Sequence, residues 1–464
     1  MILFLHRKDL RTDDLPAYDY IAESGSGSPS LHVLVLDPFL LRKGRHLEHS
    51  GRNFLAHAAR LQSLYDAAGQ HLHVLYGEPA GVTAALLEAH GVRELVFHED
   101  YTPYAVTRDR SLRETAAARG VRVTGLAEQT LADLRDFQHS AGRSEPYKVY
   151  TPYYRRWREY LREHFRPAST RGLGGLRTLP LAEGVASRFP LPEELAQALA
   201  DSRARPAAEE PEAALEDFLG ERLAGYAEGR ERFAREETSR LSRHLNTGAL
   251  SIRRVYEQLL ECGTEAEPWL RQLAWRDFYL YQSRLDPLFY RYEKEYDLTE
   301  LPTDGFHAWA EARTGIPIID AAMTELNATG WMPNRLRMIT AMFLTKNLLC
   351  PFPYGERYFR SKLADYDNAL NRGGWLWSAS LGYDAAPYFR VMNPVTQSQT
   401  YDPGGSYIRR WLPELAGLSD KEIHLPRPDA VVDLKASRAL SIDVYKGILA
   451  RRADAGAERG NPAR

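Results

Sequence analysis

The chain reads as two architectures in series, an α/β half built on a parallel sheet and an all-α half. Three observations carry that reading. Short apolar runs alternate with amphipathic segments through the first third of the 464 residues, and apolar residues recur at helical spacing beyond about residue 206. Between the two, the alternation fails while Pro, Gly, Ser and Arg accumulate. A chain this long outgrows a single hydrophobic core, so two domains are the default expectation.

Residues 2–5, 31–36, 72–76, 95–98 and 121–123 are strand-like apolar runs, and segments such as 54–65 between them carry a helical pattern. Strands alternating with helices predict crossover connections and a parallel, Rossmann-like sheet over residues 1–130. Asp37-Pro38 ends the second strand as a loop, at the carboxyl edge where open α/β sheets hold ligands. No Gly-x-Gly-x-x-Gly follows the first strand, which argues against an ordinary dinucleotide site there. Residues 131–205, with Pro-, Gly- and Arg-rich stretches at 166–179 and 190–206, read as a long interdomain linker. Over residues 206–464, the stretches 214–223, 252–260, 269–285, 318–326 and 335–349 repeat apolar positions at helical spacing and predict a mostly helical domain. After Pro428 a weak helix and then a fraying Arg/Ala/Gly-rich tail are expected.

The composition, 44% hydrophobic and 26% charged, is that of a globular protein, and no apolar run is long enough to span a bilayer. Charge at His6-Arg7-Lys8-Asp9 cuts off the apolar start where a secretory signal would continue, so a cytoplasmic protein is expected. The two cysteines, Cys262 and Cys350, stand far apart without the spacing of a zinc or iron–sulphur site, and no metal is expected. The net charge of -2 decides nothing about nucleic acid, because a near-neutral sum can hide a basic face.

The densest chemical signal is Asp365-Tyr-Asp-Asn-Ala-Leu-Asn371-Arg-Gly-Gly-Trp375-Leu-Trp377. Asp365, Asp367 and Asn371 offer groups that match the donors and acceptors of a flavin ring, and Gly373-Gly374 lets backbone approach a flat ligand closely. Trp375 and Trp377 add large, readily oxidised rings. Upstream, Thr238-Ser239-Arg240-Leu241-Ser242 gathers hydroxyls, a guanidinium and backbone donors before a helical segment, a composition suited to pyrophosphate, although Ser or Thr there more often serves as a simple N-cap. In Trp269-Leu-Arg-Gln272-Leu-Ala-Trp275-Arg276-Asp-Phe-Tyr279, the spacing sets Gln272, Trp275, Arg276 and Tyr279 on one helical face, able to stack a base and hold its phosphate. Gly330-Trp331-Met-Pro-Asn334-Arg335-Leu-Arg337-Met338 delivers two arginines and an amide into a helix start. Each segment alone has a structural explanation. Their occurrence in order, followed by Asp384-Ala-Ala-Pro-Tyr-Phe-Arg390, does not.

With these motifs the chain resembles the photolyase/cryptochrome flavoprotein family, and is most similar to the bacterial class I cyclobutane pyrimidine dimer photolyases. The resemblance begins loosely at Arg7-Lys-Asp-Leu-Arg11-Thr-Asp-Asp. It becomes specific through Thr238–Ser242, Trp275-Arg-Asp-Phe, Thr314-Gly-Ile-Pro, Asp320-Ala-Ala-Met, Asn334-Arg-Leu-Arg-Met338, Asn371-x-Gly-Gly-Trp375, Tyr401-Asp-Pro-x-Gly405 and Arg410-Trp-Leu-Pro-Glu414. It implies an N-terminal antenna domain and a folded-back FAD in the helical domain, with Thr238, Ser239, Arg240, Leu241 and Ser242 at its phosphates and Tyr226 near by. Trp269, Trp331 and Asn334 would line the cofactor, Arg337 would pair with Asp365 beside the ring, Asp367 would face its pyrimidine edge, and Asn371 would sit near N5. For UV-damaged DNA it implies Trp275 and Trp377 as lesion-pocket walls, Met338 as the floor, and Gln272 toward the lesion's carbonyls. Arg230, Arg276, Asn334, Arg335, Leu336 and Arg390 would meet the damaged strand or the pocket rim. Gln272, Trp275, Met338, Asn371 and Trp377 thus form the reaction site, and Trp375 is the first station of an electron path. The implied reaction is dimer splitting by an electron from photoexcited, reduced FAD, with no acid–base triad. A monomer with no obligate protein partner is expected.

Three departures from the family pattern matter. Gln272 stands where class I relatives usually carry glutamate, and an amide cannot deliver a proton. Phe352 and Thr299 stand at or near the middle and outer positions of the family's tryptophan chain, leaving Tyr354 or another tyrosine as a substitute path. Pro333 stands where many relatives have histidine and no histidine replaces Met338, which argues against a (6-4) photolyase. That enzyme and a cryptochrome-like photoreceptor are the alternative readings. Asp100-Tyr-Thr-Pro-Tyr104 with Arg108-Asp109 looks more like an 8-hydroxydeazaflavin or FMN antenna cleft than a folate one, though these residues could equally finish a strand and cap a helix.

Overall fold

A computed structural model describes residues 1–24, 29–204 and 210–459, with side chains described to residue 452. The chain folds into two compact units, each assembled from three segments. The first comprises Met1–Glu145, Tyr154–Ala224 and Ser239–Leu280, and the second Pro146–Tyr153, Gly225–Thr238 and Tyr281–Arg464.

In the first unit, β1 (Ile2–His6), β2 (Ser30–Leu36), β3 (His73–Tyr76), β4 (Glu94–His98) and β5 (Arg122–Leu126) form one sheet in the order β3-β2-β1-β4-β5. All pairings are parallel, with Leu3 opposite Leu31 on one side and Leu95 on the other. The expected strands therefore form, within three residues at each end. Side chains alternate across the pleat, and both faces are covered, which is why the strands read as nearly continuous apolar runs. Phe4, Leu34 and Val96 pack beneath α1 (His49–Ala67) with Leu55, Leu61 and Tyr65. Leu5, Val33 and Phe97 pack on the opposite face with Leu112 and Ala116 of α2 (Pro103–Ala117). Strand order reverses at β1, so β1 and β4 flank the switch point whose carboxyl edge suits ligands.

Residues 131–205 are not an open connection. They include α3 (Tyr150–His164), an amphipathic helix whose Tyr153, Trp157, Tyr160 and Leu161 are buried. The proline- and glycine-rich stretches that predict a linker lie beyond α3, and the aromatic anchors that hold the segment lie before them. Residues 205–206, at the end of the second such stretch, fall outside the described residues.

Helix α4 (Glu267–Leu285) belongs to the first unit as far as Leu280. The regular structure of the second unit is helical among the described residues, with α5 (Pro317–Thr329), α6 (Asn334–Met342), α7 (Phe352–Lys362), α8 (Asn368–Ser378) and α9 (Leu434–Arg459) as its principal elements. Proline opens α5, and Gly330, with φ 72°, ends it in the left-handed conformation that glycine adopts without strain. Asp367 caps α8, its Oδ1 accepting from the amides of Ala369 and Leu370 at 2.9 and 3.0 Å. The weak helix expected near the C-terminus runs for 26 residues as α9, and the expected frayed end, residues 460–464, lies outside the described residues.

Candidate functional site

The site residues predicted from sequence fall into two sets, one in each unit. In the first unit, the loop Ser239–Ser242 turns sharply at Arg240, whose φ of 53° is rare for a residue with a side chain. Ser239 Oγ accepts the Trp269 indole N–H at 3.2 Å, and Trp269 also packs its ring 5.1 Å from Phe218. The loop and the start of α4 are thereby fixed to one another. Leu241 is fully buried, so only its backbone is available to a ligand.

One turn along α4, Gln272, Trp275, Arg276 and Tyr279 share the predicted face and are all partly exposed. Gln272 Nε2 donates to the Pro268 carbonyl at 3.4 Å, and the rings of Trp275 and Tyr279 lie 5.6 Å apart. Arg276 donates to the Gln129 carbonyl and lies 3.6 Å from Asp277, which anchors part of its guanidinium. Asp277 is buried on the opposite side, where its Oδ2 accepts from Trp157 Nε1 and the Leu131 amide at 3.0 Å each and from the Ala132 amide at 3.3 Å. Burial pushes the Asp277 carboxyl up to about 6 despite these bonds.

In the second unit, the turn after α5 places Trp331 outside α6. Arg337 reaches back from α6, with its guanidinium 5.4 Å from the Trp331 ring, Nε donating to the Met332 carbonyl at 2.8 Å, and Nη2 paired with Asp365 Oδ2 at 3.0 Å. The predicted Arg337–Asp365 pair therefore exists, with Asp365 buried and Arg337 partly exposed. Asn334 is exposed at the first position of α6, and its Nδ2 approaches Met338 Sδ one turn later at 3.7 Å.

The Leu336 side chain is fully buried on the core face of α6, so only its backbone is available to a ligand.

Arg335 and Arg230 converge on one carboxylate. Both pair with Glu231, and Arg335 also lies 4.4 Å over the Tyr401 ring while Arg230 lies 5.6 Å over buried Tyr226. On α8, Asn371 Nδ2 donates to the Glu356 carbonyl at 3.1 Å. Trp375 is buried, whereas Trp377 is partly exposed and its carbonyl accepts from the Ala386 amide at 3.2 Å, tying the loop that leads to exposed Arg390.

Sequence reasoning missed Glu231, Gly355 and Trp309. Gly355 on α7 is required by packing, because a Cβ there would lie 2.0 Å from Trp375 Cη2. Trp309, fully buried and bonded through Nε1 to the Thr340 carbonyl at 3.0 Å, belongs to no motif. At the sheet's carboxyl edge, Phe39 stacks on Tyr104 at 4.9 Å with rings nearly parallel, and Arg42 lies 3.8 Å over Phe39. Here Asp100 Oδ1 accepts from the Thr102 amide at 3.1 Å, Thr102 caps α2, and Arg7 pairs with Asp109 at 2.9 Å.

Among the described residues no cluster of His, Cys, Asp or Glu could hold a metal, and no helix is long and apolar enough to cross a membrane.

A parallel sheet without a glycine-rich phosphate loop is thus followed in the chain by helices and turns that carry an arginine–carboxylate pair beside an indole. The profile for DNA photolyase matches residues 2–170, and that for the FAD binding domain of DNA photolyase matches residues 269–450. A deoxyribodipyrimidine photo-lyase of Halobacterium salinarum is 34% identical, over 96% of this chain and 99% of its own. A bacterial class III photolyase from Agrobacterium tumefaciens superposes with a TM-score of 0.81 at 28% identity, covering 96% of this chain and 97% of its own. An archaeal photolyase from Sulfolobus tokodaii, solved with two FAD molecules and an implied novel light-harvesting cofactor, does so at 0.80 and 27%, covering 96% and 100%. The chain belongs to the DNA photolyase family.

The residues present suit FAD. A Cβ added at Gly374 on α8 would meet nothing within 4 Å, which leaves room beside the helix, and the Arg337–Asp365 pair and Asn371 supply the donor and acceptor types that a flavin edge needs.

Proposed function

We propose that the protein is a light-driven lyase that repairs cyclobutane pyrimidine dimers in DNA. The observation that carries this reading is the Arg337–Asp365 pair at 3.0 Å beside Trp331, within the stretch that the FAD-binding profile matches. Bound and reduced, FAD supplies a light-driven one-electron donor. Ser239, Arg240, Ser242, Thr238 and the Leu241 backbone would hold its phosphates with Tyr226 near by, and Trp269, Trp331 and Asn334 would line it. Asp367 would face the pyrimidine edge, and Asn371 would accept a hydrogen bond from a protonated ring nitrogen without adding charge.

Trp275 and Trp377 would stack on a flipped dimer and replace its lost base stacking, with Met338 beneath it and Gln272 at its carbonyls. A dimer costs less to extrude than an intact pair because its pairing is already damaged, which gives selectivity. Arg230, Arg276, Arg335, Arg390 and Asn334 would meet phosphates or the pocket rim and supply affinity that reads no sequence. We assign residues 1–130 to the antenna domain and 206–464 to the FAD and lesion domain. The stacked Phe39–Tyr104 pair with Arg42 and Arg108 at the sheet edge supports a flat antenna of the deazaflavin or flavin type. A cytoplasmic monomer fits this role.

The test is illumination of the reduced, FAD-loaded protein with a dimer-containing oligonucleotide. Light-dependent loss of dimers is expected, and none in light would overturn the reading; repair of a (6-4) lesion instead would shift it to that enzyme.

A further inference from the structure

The expected middle station of electron supply is Phe352, a ring far harder to oxidise than indole or phenol. It is buried, with the Arg372 guanidinium 4.9 Å over it. Trp375 has other neighbours. Its ring lies 6.0 Å from Trp309, edge to face, and 5.0 Å from Phe359. Trp309 in turn lies 6.1 Å from Phe306 and 5.5 Å from Tyr358. Phe306 packs 5.6 Å from Tyr354, which at 37% is the most exposed member of this cluster.

We infer that Trp375, Trp309 and Tyr354 form the route by which electrons reach oxidised FAD in this protein, with Phe306 and Tyr358 bridging the last gap. The inference rests on Trp375 being the flavin-proximal ring.

Proton chemistry sets the direction. Trp375 Nε1 has no hydrogen-bond partner among the described residues and Trp309 Nε1–H faces only a carbonyl, so neither indole, once oxidised, can hand its proton to a base. Each remains a cation radical, which is the stronger oxidant. Tyr358 donates its hydroxyl to the Ala310 carbonyl or Asn327 Oδ1 at 2.7 and 2.6 Å, neither of them a base, and burial holds its phenol above the usual range. Tyr354 can release its proton to water.

In sequence, Trp375 would give one electron to photoexcited, oxidised FAD, Trp309 would refill Trp375, and Tyr354 would refill Trp309. Tyr354 loses its phenolic proton to water and becomes a neutral tyrosyl radical. An external thiol then returns a hydrogen atom to it and becomes a thiyl radical.

The experiment illuminates the oxidised, FAD-loaded full chain with a nitroso spin trap, records the paramagnetic spectrum and maps the adduct by mass spectrometry. The expected adduct is on Tyr354, and Tyr354→Phe, a surface change, removes it and slows photoreduction about tenfold or more. Trp309→Phe does the same. Chemically reduced Tyr354→Phe repairs dimers as the unsubstituted protein does, which separates failure of the route from failure of the lyase reading. An adduct on another tyrosine, or unchanged photoreduction in both variants, overturns the route.

Discussion

At the scale of single residues, Gly355 shows how one missing methyl makes room for a buried ring. Replacing it with alanine gains at most about 1 kcal/mol of helix propensity. The new Cβ, however, would lie 2.0 Å from Trp375 Cη2, and overpacking of a dense core costs about 1–3 kcal/mol. Steric cost wins, so Gly355→Ala is expected to lower the thermal midpoint and alter tryptophan emission; an unchanged midpoint would mean that Trp375 has room to move. This requirement was not legible in the sequence, because a glycine inside a helical pattern says nothing about what approaches it. The Arg337–Asp365 pair was legible only through motif order. Leu336 shows the limit of that order: a motif names neighbours along the chain, whereas helix periodicity decides which of their side chains are buried.

At the scale of elements, α4 carries its predicted polar face on one side and buried Asp277 on the other. The folded-state carboxyl is raised to about 6 from an ordinary value of 3.8, so the folded protein holds this proton more tightly than the unfolded chain. Its contribution to stability is fully present below pH 3.8 and is lost as pH rises through about 6, a swing of about 3 kcal/mol. Asp277→Asn keeps an oxygen for the three donors and removes the titration. Urea midpoints of the two proteins measured from pH 4 to 7 should therefore diverge, the unsubstituted protein losing ground as pH rises; parallel curves would refute the assignment. His57 and His244, bonded to each other at 3.0 Å and depressed by burial to about 3 and about 4, act in the opposite sense and weaken both proteins below pH 6.5. The pairwise comparison cancels them.

The strands and long helices were readable because each buries a continuous face with its own period. The helix α3 was not, since its anchoring aromatics sit beside composition typical of a connection.

At the scale of the molecule, a net charge of -2 coexists with arginines that converge at Glu231 and with exposed Arg390. If Arg390 meets a phosphate, Arg390→Ala should weaken binding to dimer DNA and reduce the slope of log affinity against log salt by about 0.9. An unchanged slope would remove Arg390 from the interface.

The chain also passes between its two units five times, at residues 145, 153, 224, 238 and 280. This has a consequence for anyone who would cut or recombine the protein. A fragment starting at residue 206 keeps every helix of the second unit after Tyr281 but loses the Pro146–Tyr153 strip, and it carries Ser239–Leu280 away from the sheet unit to which that segment belongs. Exchanging the sheet unit with that of a relative therefore calls for several matched junctions rather than a single splice, and a one-cut chimera is expected to be recovered from inclusion bodies.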